Sequence, residues 1–464
     1  GQVALDLLSL KSGRVSLTAK GGAAGAPINL TARLDDLGLL APGVSGPAEA
    51  SGQITLRDDM GRDIGVNLSA AGPGGTSARI TGDIRDLGER LSLNASGAVP
   101  LALANSFIAP RSVAGTARYD LSVNGPPALS SLSGKIDLSG ARIALPTFNA
   151  ALTDIGGGIS LSGSQAQLDL RATGGEGGEI ILRGPIGLTP PYPADLAVVL
   201  AALVQSDPDL YRTAVGGRLS VAGPLTGGAQ VSGDLVLGPT EIRIPSSDIA
   251  NVGLLPQIRH RNDSPEVIET RRRAGLIREE STAEAPALGL DITVSAPNRI
   301  FVRGRGLDAE LGGNLTLRGT TNDVIPSGTF ALQRGRLDIL GRRLELTEGL
   351  IDLRGAFDPY LRFVAQTEAD DTSVNVIIEG LASAPEIIFT STPELPQEEV
   401  VSRLLFGRDI NNISPFQAAQ LAAAVATLTG QLDGGFMTEL RNTLGLSDLD
   451  VTTNAEGTTE FTAG

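Results

Sequence analysis

From Val3 to about Thr392, apolar and polar residues alternate in short runs that are broken by Gly, Pro, Asn and Asp. Period two puts successive side chains on opposite faces of an extended chain, so the pattern predicts many strands joined by tight turns. In SVNVIIEG (373–380), Val374, Val376 and Ile378 share one face, and Asn375 and Glu379 point to the other. RLDIL (336–340), LELT (344–347) and LIDL (350–353) read the same way, with Leu337 and Ile339, Leu344 and Leu346, and Ile351 and Leu353 on the apolar side. Ile387 and Phe389 continue that side.

An internal repeat sharpens the picture. Gly134 is followed by Ile136, Leu138, Ile143, Leu145 and Pro146. Gly233 is followed at the same spacing by Leu235, Leu237, Ile242, Ile244 and Pro245, and Gly328 by Phe330, Leu332, Leu337 and Ile339. Equal spacing in three places predicts a recurring strand, turn, strand unit. Such units stack into an elongated, repetitive, mainly β sheet rather than a globule.

Two stretches depart from the alternation. Residues 246–287, including HRNDSPEVIETRRRAGLIREE, are charged and read as an exposed insertion or lid. Near the C-terminus the period becomes helical. LPQEEVVSRLLFG sets Pro396 at the first turn, Glu398 and Glu399 at the positive end of the dipole, and Gly407 as the stop. SPFQAAQLAAAVATLTG places Ser414 and Gln417 in capping-box spacing with Pro415 at the first helical position, and FMTELRNTLG is a third candidate. The expected organisation is a repetitive β groove over 1–245, the insertion over 246–287, a further part of the groove over 288–392, amphipathic helices over 393–446 and the start of a terminal strand over 447–464.

Composition supports shallow, repetitive packing. Gly occurs 59 times, aromatic residues make up 3% and Trp is absent, so Leu, Ile, Val and Ala must supply the burial. The net charge of −15, with Lys only at positions 11, 20 and 135, argues against nucleic acid as a partner. Without Cys there is no disulfide framework and no thiolate metal site. The longest apolar run, LAVVLAALV at 196–204, is about half the ~20 residues that cross a bilayer as a helix. The chain starts at Gly1 with neither signal sequence nor Met, and is read as a piece of a longer protein whose targeting segment lies upstream.

Catalytic chemistry is not expected. The single histidine, His260, sits between Arg259 and Arg261 in the charged insertion. RDDMGRD (57–63) lacks the spacing of a calcium loop, and GGEGG (174–178) lacks the lysine of a phosphate cradle, so both read as turns. Arg271, Arg272 and Arg273 are a run that an anionic headgroup would fit, although most such runs are hydrated loops. No catalytic residue, cofactor or metal is assigned.

Order and content of motifs in the second half carry a family resemblance. PSGTFALQRGRLDILGRRLELTEGLIDLRG (326–355), then DPYLRF, then PEIIFTSTPELPQEEVVSRLLFGRDINNISPFQAAQLA (385–422) resemble the C-terminal domain of the TamB family. The motif positions are Leu404, Leu405, Phe406 and Gly407 at the helix end, and Ser414, Pro415, Phe416 and Gln417 at the cap. The resemblance implies a taco-like curled sheet with a hydrophobic groove that crosses the periplasm from an inner-membrane anchor. It also implies phospholipid acyl chains and a TamA-type outer-membrane barrel as partners. Two other readings are an assembly chaperone for outer-membrane proteins and a structural β-solenoid with a sealed core.

Overall fold

The computed structural model describes residues 7–21, 26–39, 44–57, 62–146, 149–244, 267, 287–304, 306–339, 342–369, 371–406, 409–413, 449–453 and 459–463. The chain is mainly β. Among the described residues, 23 strands belong to one sheet and two form a separate hairpin, Leu449–Thr453 with Thr459–Ala463. Two compact units divide it: 1–243 with 251–300 and 314–327, and 244–250 with 301–313 and 328–464.

In the first unit, each strand from Leu8–Ser12 to Gln230–Leu237 pairs antiparallel with the next. Short turns make this possible, and the expected turn GGEGG is one of them. Gly174 donates to the Gly178 carbonyl at 3.0 Å and Gly177 to Gly174 at 3.0 Å, closing the hairpin between Gln165–Gly174 and Glu179–Gly187. The run 196–204 lies within the strand Pro193–Asp207.

The order then changes. Past Gly238 and Pro239, Thr240–Arg243 continues in the direction of Gln230–Leu237 along the start of Tyr211–Pro224, matching Tyr211 to Ile242 and Arg212 to Glu241. The strand Gly289–Gly304 lies parallel to Gln230–Leu237, from Gln230 opposite Gly289 to Val236 opposite Ser295. Parallel neighbours need a long crossover, because the chain must return to the starting end. The charged segment 246–287, which lies outside the described residues apart from Val267 and Ala287, falls within that connection.

The repeat is built differently from the expected strand, turn, strand unit. Its first copy is a single strand, Leu132–Leu145, and its third lies within Val324–Ile339. Only the second is divided, at Gly238 and Pro239, between Gln230–Leu237 and Thr240–Arg243. The odd step from Leu138 to Ile143 would move Ile143 to the opposite face of an unbroken strand. A register shift restores it: Thr116 faces Ser139 but Ala114 faces Arg142, so one extra residue is absorbed as a bulge.

In the second unit, Arg342–Arg354, Tyr360–Ala369, Thr372–Leu381 and Ala384–Thr392 form an antiparallel meander, followed by the helix Gln397–Phe406. The helix begins as the sequence predicts, with Glu399 and Val400 both donating to the Pro396 carbonyl at 3.0 Å. The two further expected helices lie outside the described residues.

Candidate functional site, an apolar sheet face

Residues directly opposite in antiparallel strands share a face, so the registers trace apolar rows across the first unit. One row runs Tyr119, Ile136, Ile159, Leu168. Its neighbour runs Leu170, Leu182, Val198, Leu219 and passes through Gly233 to Ile292. Leu161, Ala166 and Leu168 are buried, and Ile136, Ile159, Leu170, Leu182 and Ile186 pack half-buried against them. Among the described residues of this unit the strands all belong to one sheet, and most of the large side chains in these rows stay half-buried rather than buried.

The reverse face is polar. Asp169 and Arg183, directly opposed, form an ion pair at 2.9 Å, and the hydroxyls of Ser122 and Ser133 are 2.8 Å apart. The exposed ion pair contributes up to about 1 kcal/mol.

A signal beyond the repeat glycines lies in the kinks of the face. Gly134, Gly157, Gly184, Gly217 and Gly233 adopt φ between +123° and +142°, and each stands opposite a leucine or aligns with one across the ladder. A Cβ at any of them would run into a cross-strand carbonyl oxygen, that of Asp120, Asp169, Asp195, Asp234 or Arg218 respectively. Four of these contacts are made by an Asp-Leu pair, whose aspartate points to the wet side and whose leucine occupies the apolar row. Gly97 follows the same logic with an aromatic neighbour: the Tyr119 hydroxyl reaches past it to donate to the Ser77 carbonyl at 3.2 Å. Burial raises the Tyr119 pKa above its ordinary value.

Ile136, Leu138, Ile143 and Leu145 all lie half-buried, as do Leu235, Leu237, Ile244, Phe330 and Leu332. Ile242 is exposed and Leu337 buried; the side chain of Ile339 lies outside the described residues.

The second unit brings its expected residues onto one face through a further bulge. Leu346 faces Ala365, whereas Gly349 faces Phe363 and Ile351 faces Leu361; the shift falls between Leu346 and Glu348. Leu344, Leu346, Ile351 and Leu353 therefore share a side despite their unequal parity. Across the ladder they are joined by Phe363 and Ala365, by Val374, Val376 and Ile378, and by Ile387 and Phe389. Opposite them is a wet face on which Arg362 meets Glu379 at 2.7 Å and Glu348 at 3.7 Å.

Exposure along this face is graded. Leu344, Val374 and Val376 are fully buried, at 0%. Ile351, Leu353 and Ile378 are half-buried, and Ile387 is 37% exposed. At the buried end the helix Gln397–Phe406 is tied to the sheet by Arg403 and Thr372, and its Val400, Val401 and Leu404 are also buried. Leu405 and Phe406 are half-buried, while Gly407, Ser414, Pro415, Phe416 and Gln417 lie outside the described residues.

The helix is fastened by polar contacts. The Arg403 guanidinium donates to Glu399 Oε1 at 2.7 Å and to Thr372 Oγ1 at 2.9 Å, and lies 3.6 Å from Asp409. Glu399 also accepts the Ile410 backbone N–H at 2.9 Å. Asp409 accepts the backbone and side-chain N–H groups of Asn411, both at 2.8 Å. The backbone bond is the main reason its pKa is lowered, with Arg403 assisting. The segment before the helix is held by Ser391, whose hydroxyl donates to the Pro393 carbonyl at 2.8 Å and accepts the Leu395 N–H at 3.0 Å.

Comparison with known proteins agrees with this architecture. The model of the TamB C-terminal domain matches residues 165–464. The translocation and assembly module subunit TamB of Haemophilus influenzae is 25% identical over 192 residues, covering 39% of this chain and 15% of that protein. The chain thus spans a small part of that relative's length.

Proposed function

This chain belongs to the TamB family, and from that premise we propose that it is part of a periplasmic bridge, anchored in the inner membrane, that conducts phospholipid toward the outer membrane. Acyl chains lie on the apolar face while headgroups stay in water at the open side. One observation supports the reading: apolar rows continue from strand to strand through the first unit, within a single sheet, and many of their large side chains remain half-buried. A sealed β-sandwich would place another sheet there.

The energetics suit a carrier. Each methylene removed from water contributes about 0.8 kcal/mol, so even part of an acyl chain is held well above thermal energy. Leu, Ile, Val and Ala recur from rung to rung, so a chain exchanges one apolar contact for a similar one as it advances. No helix among the described residues is long and apolar enough to cross a membrane.

Native mass spectrometry of the chain expressed in the periplasm tests the proposal. The expected result is bound phospholipid, lost when Leu168, Leu170 and Leu182 are replaced by Asn. Lipid-free protein that also fails to take up fluorescent phospholipid would overturn it. A TamA-type barrel is the proposed outer-membrane partner, as the name of the Haemophilus relative as a module subunit suggests.

A further inference from the structure

We infer that the helix Gln397–Phe406 is a stop that ends the apolar track, so lipid occupies the Ile378 and Ile387 end of the second unit's face and is excluded from the Val374 and Val376 end. The inference rests on the conduction reading and adds where conduction ends. Along the strand Thr372–Leu381, residues on one face pass from fully buried Val374 and Val376 to half-buried Ile378 within three rungs. Along the neighbouring strand, Phe389 is 6% exposed and Ile387 37%. The same direction holds from Leu344 to Leu353. A lipid tail sliding toward Val374 thus meets side chains already packed against protein, and close-packed interiors leave no room for it.

The polar contacts show how the stop is held. Thr372 lies on the apolar face beyond Val374, Ser391 stands directly opposite Val374, and both are buried. Thr372 accepts from Arg403 on the helix, and Ser391 pins the turn leading into it. Arg403 and Glu399 pair at 2.7 Å with only 18% and 9% of their side chains exposed, and Glu399 takes a second donor from Ile410. Every group in this cluster has a partner, so the helix is clamped at one end of the face. Its apolar residues Val400, Val401 and Leu404 are buried as well.

The test is to load the chain with phosphatidylcholine carrying a diazirine in one acyl chain, irradiate, and map adducts by mass spectrometry. Adducts on Ile378 and Ile387, at least tenfold above those on Val374, Val376 and Leu404, are expected. Equal labelling of Val376 and Ile378 would overturn the stop while leaving conduction intact. No labelling anywhere on the apolar face would instead overturn the conduction reading. In Arg403→Met, and in the milder Thr372→Val should the first variant lose its circular dichroism, labelling of Val376 should rise at least tenfold. Unchanged exclusion in folded variants of both kinds would overturn the clamp.

Discussion

Gly134 stands directly opposite Leu121, and a Cβ at Gly134 would lie 2.8 Å from the Leu121 Cα and collide with the Asp120 carbonyl oxygen. Its φ of +123° is one that L side chains rarely adopt. Gly134→Ala should therefore cost at least about 2 kcal/mol through combined strain and collision. Gly13 has φ +50° with open space around it, so Gly13→Asn should change stability by no more than about 0.5 kcal/mol. Urea midpoints of the two variants compare the sites, and equal effects would show that the close approach at Gly134 is not a constraint.

Arginine substitutions should separate the closed from the open part of the face. Val376→Arg buries a charge where nothing answers it and should cost about 3 kcal/mol or more. Ile378→Arg and Ile387→Arg can carry their guanidinium groups to water along the stem, and each should cost about 1 kcal/mol. Melting temperatures measure this directly. The Ile378 and Ile387 variants, folded but with a charge in the track, should fail to transfer fluorescent phospholipid between vesicles.

Acid should loosen the helix clamp. The carboxyl of Asp409 is lowered below its usual range, first by the Asn411 backbone N–H. A depressed folded pKa stabilises the native state above the unfolded value, near 3.9, and that contribution is lost as pH falls through the folded pKa. Melting temperature should hold from pH 7 to about 5 and then decline, more steeply in the parent than in Asp409→Asn. Identical slopes for the two proteins would remove Asp409 from the account.

The parallel pair sets a minimum length on the charged connection. Ile244 donates to the Arg303 carbonyl at 2.7 Å, so the chain enters the connection at the far end of the strand that begins at Gly289. Returning along that strand covers roughly 45 Å at ~3.3 Å per residue. Excising 250–285 leaves residues 245–249 and 286–288, which reach about 30 Å when fully extended. The excised chain should lose amide-exchange protection at Val231 and Leu235, and a Gly/Ser linker of the original length should restore it. Full protection after excision would refute the parallel register.

Strand content, the apolar face and the helix were legible because each rests on local periodicity, and Val374, Val376 and Ile378 lie together as their alternation predicts. The continuity of Leu132–Leu145 was hidden, since a bulge and a turn both shift parity by one residue. Likewise, alternation cannot tell an open face from a covered one. Val376 and Ile378 carry the same signal, yet one is fully buried and the other half-buried. The parallel strand was invisible for a similar reason: period two is blind to the direction of the neighbouring strand. Arg403 lay in plain sight within VSRLLFG, but its partner Thr372 comes from a different strand.

The glycine kinks separate two kinds of information in this chain. Sharp local bends are specified where side chains are missing and where a carbonyl closes over the gap, whereas the chemistry of the apolar rows is specified by the leucines, isoleucines and valines between them. A change from Leu to Ile or Val in a row alters what the surface grips without disturbing the bend, and a change at a kink glycine does the reverse. The apolar rows can therefore drift in evolution while the backbone beneath them stays put.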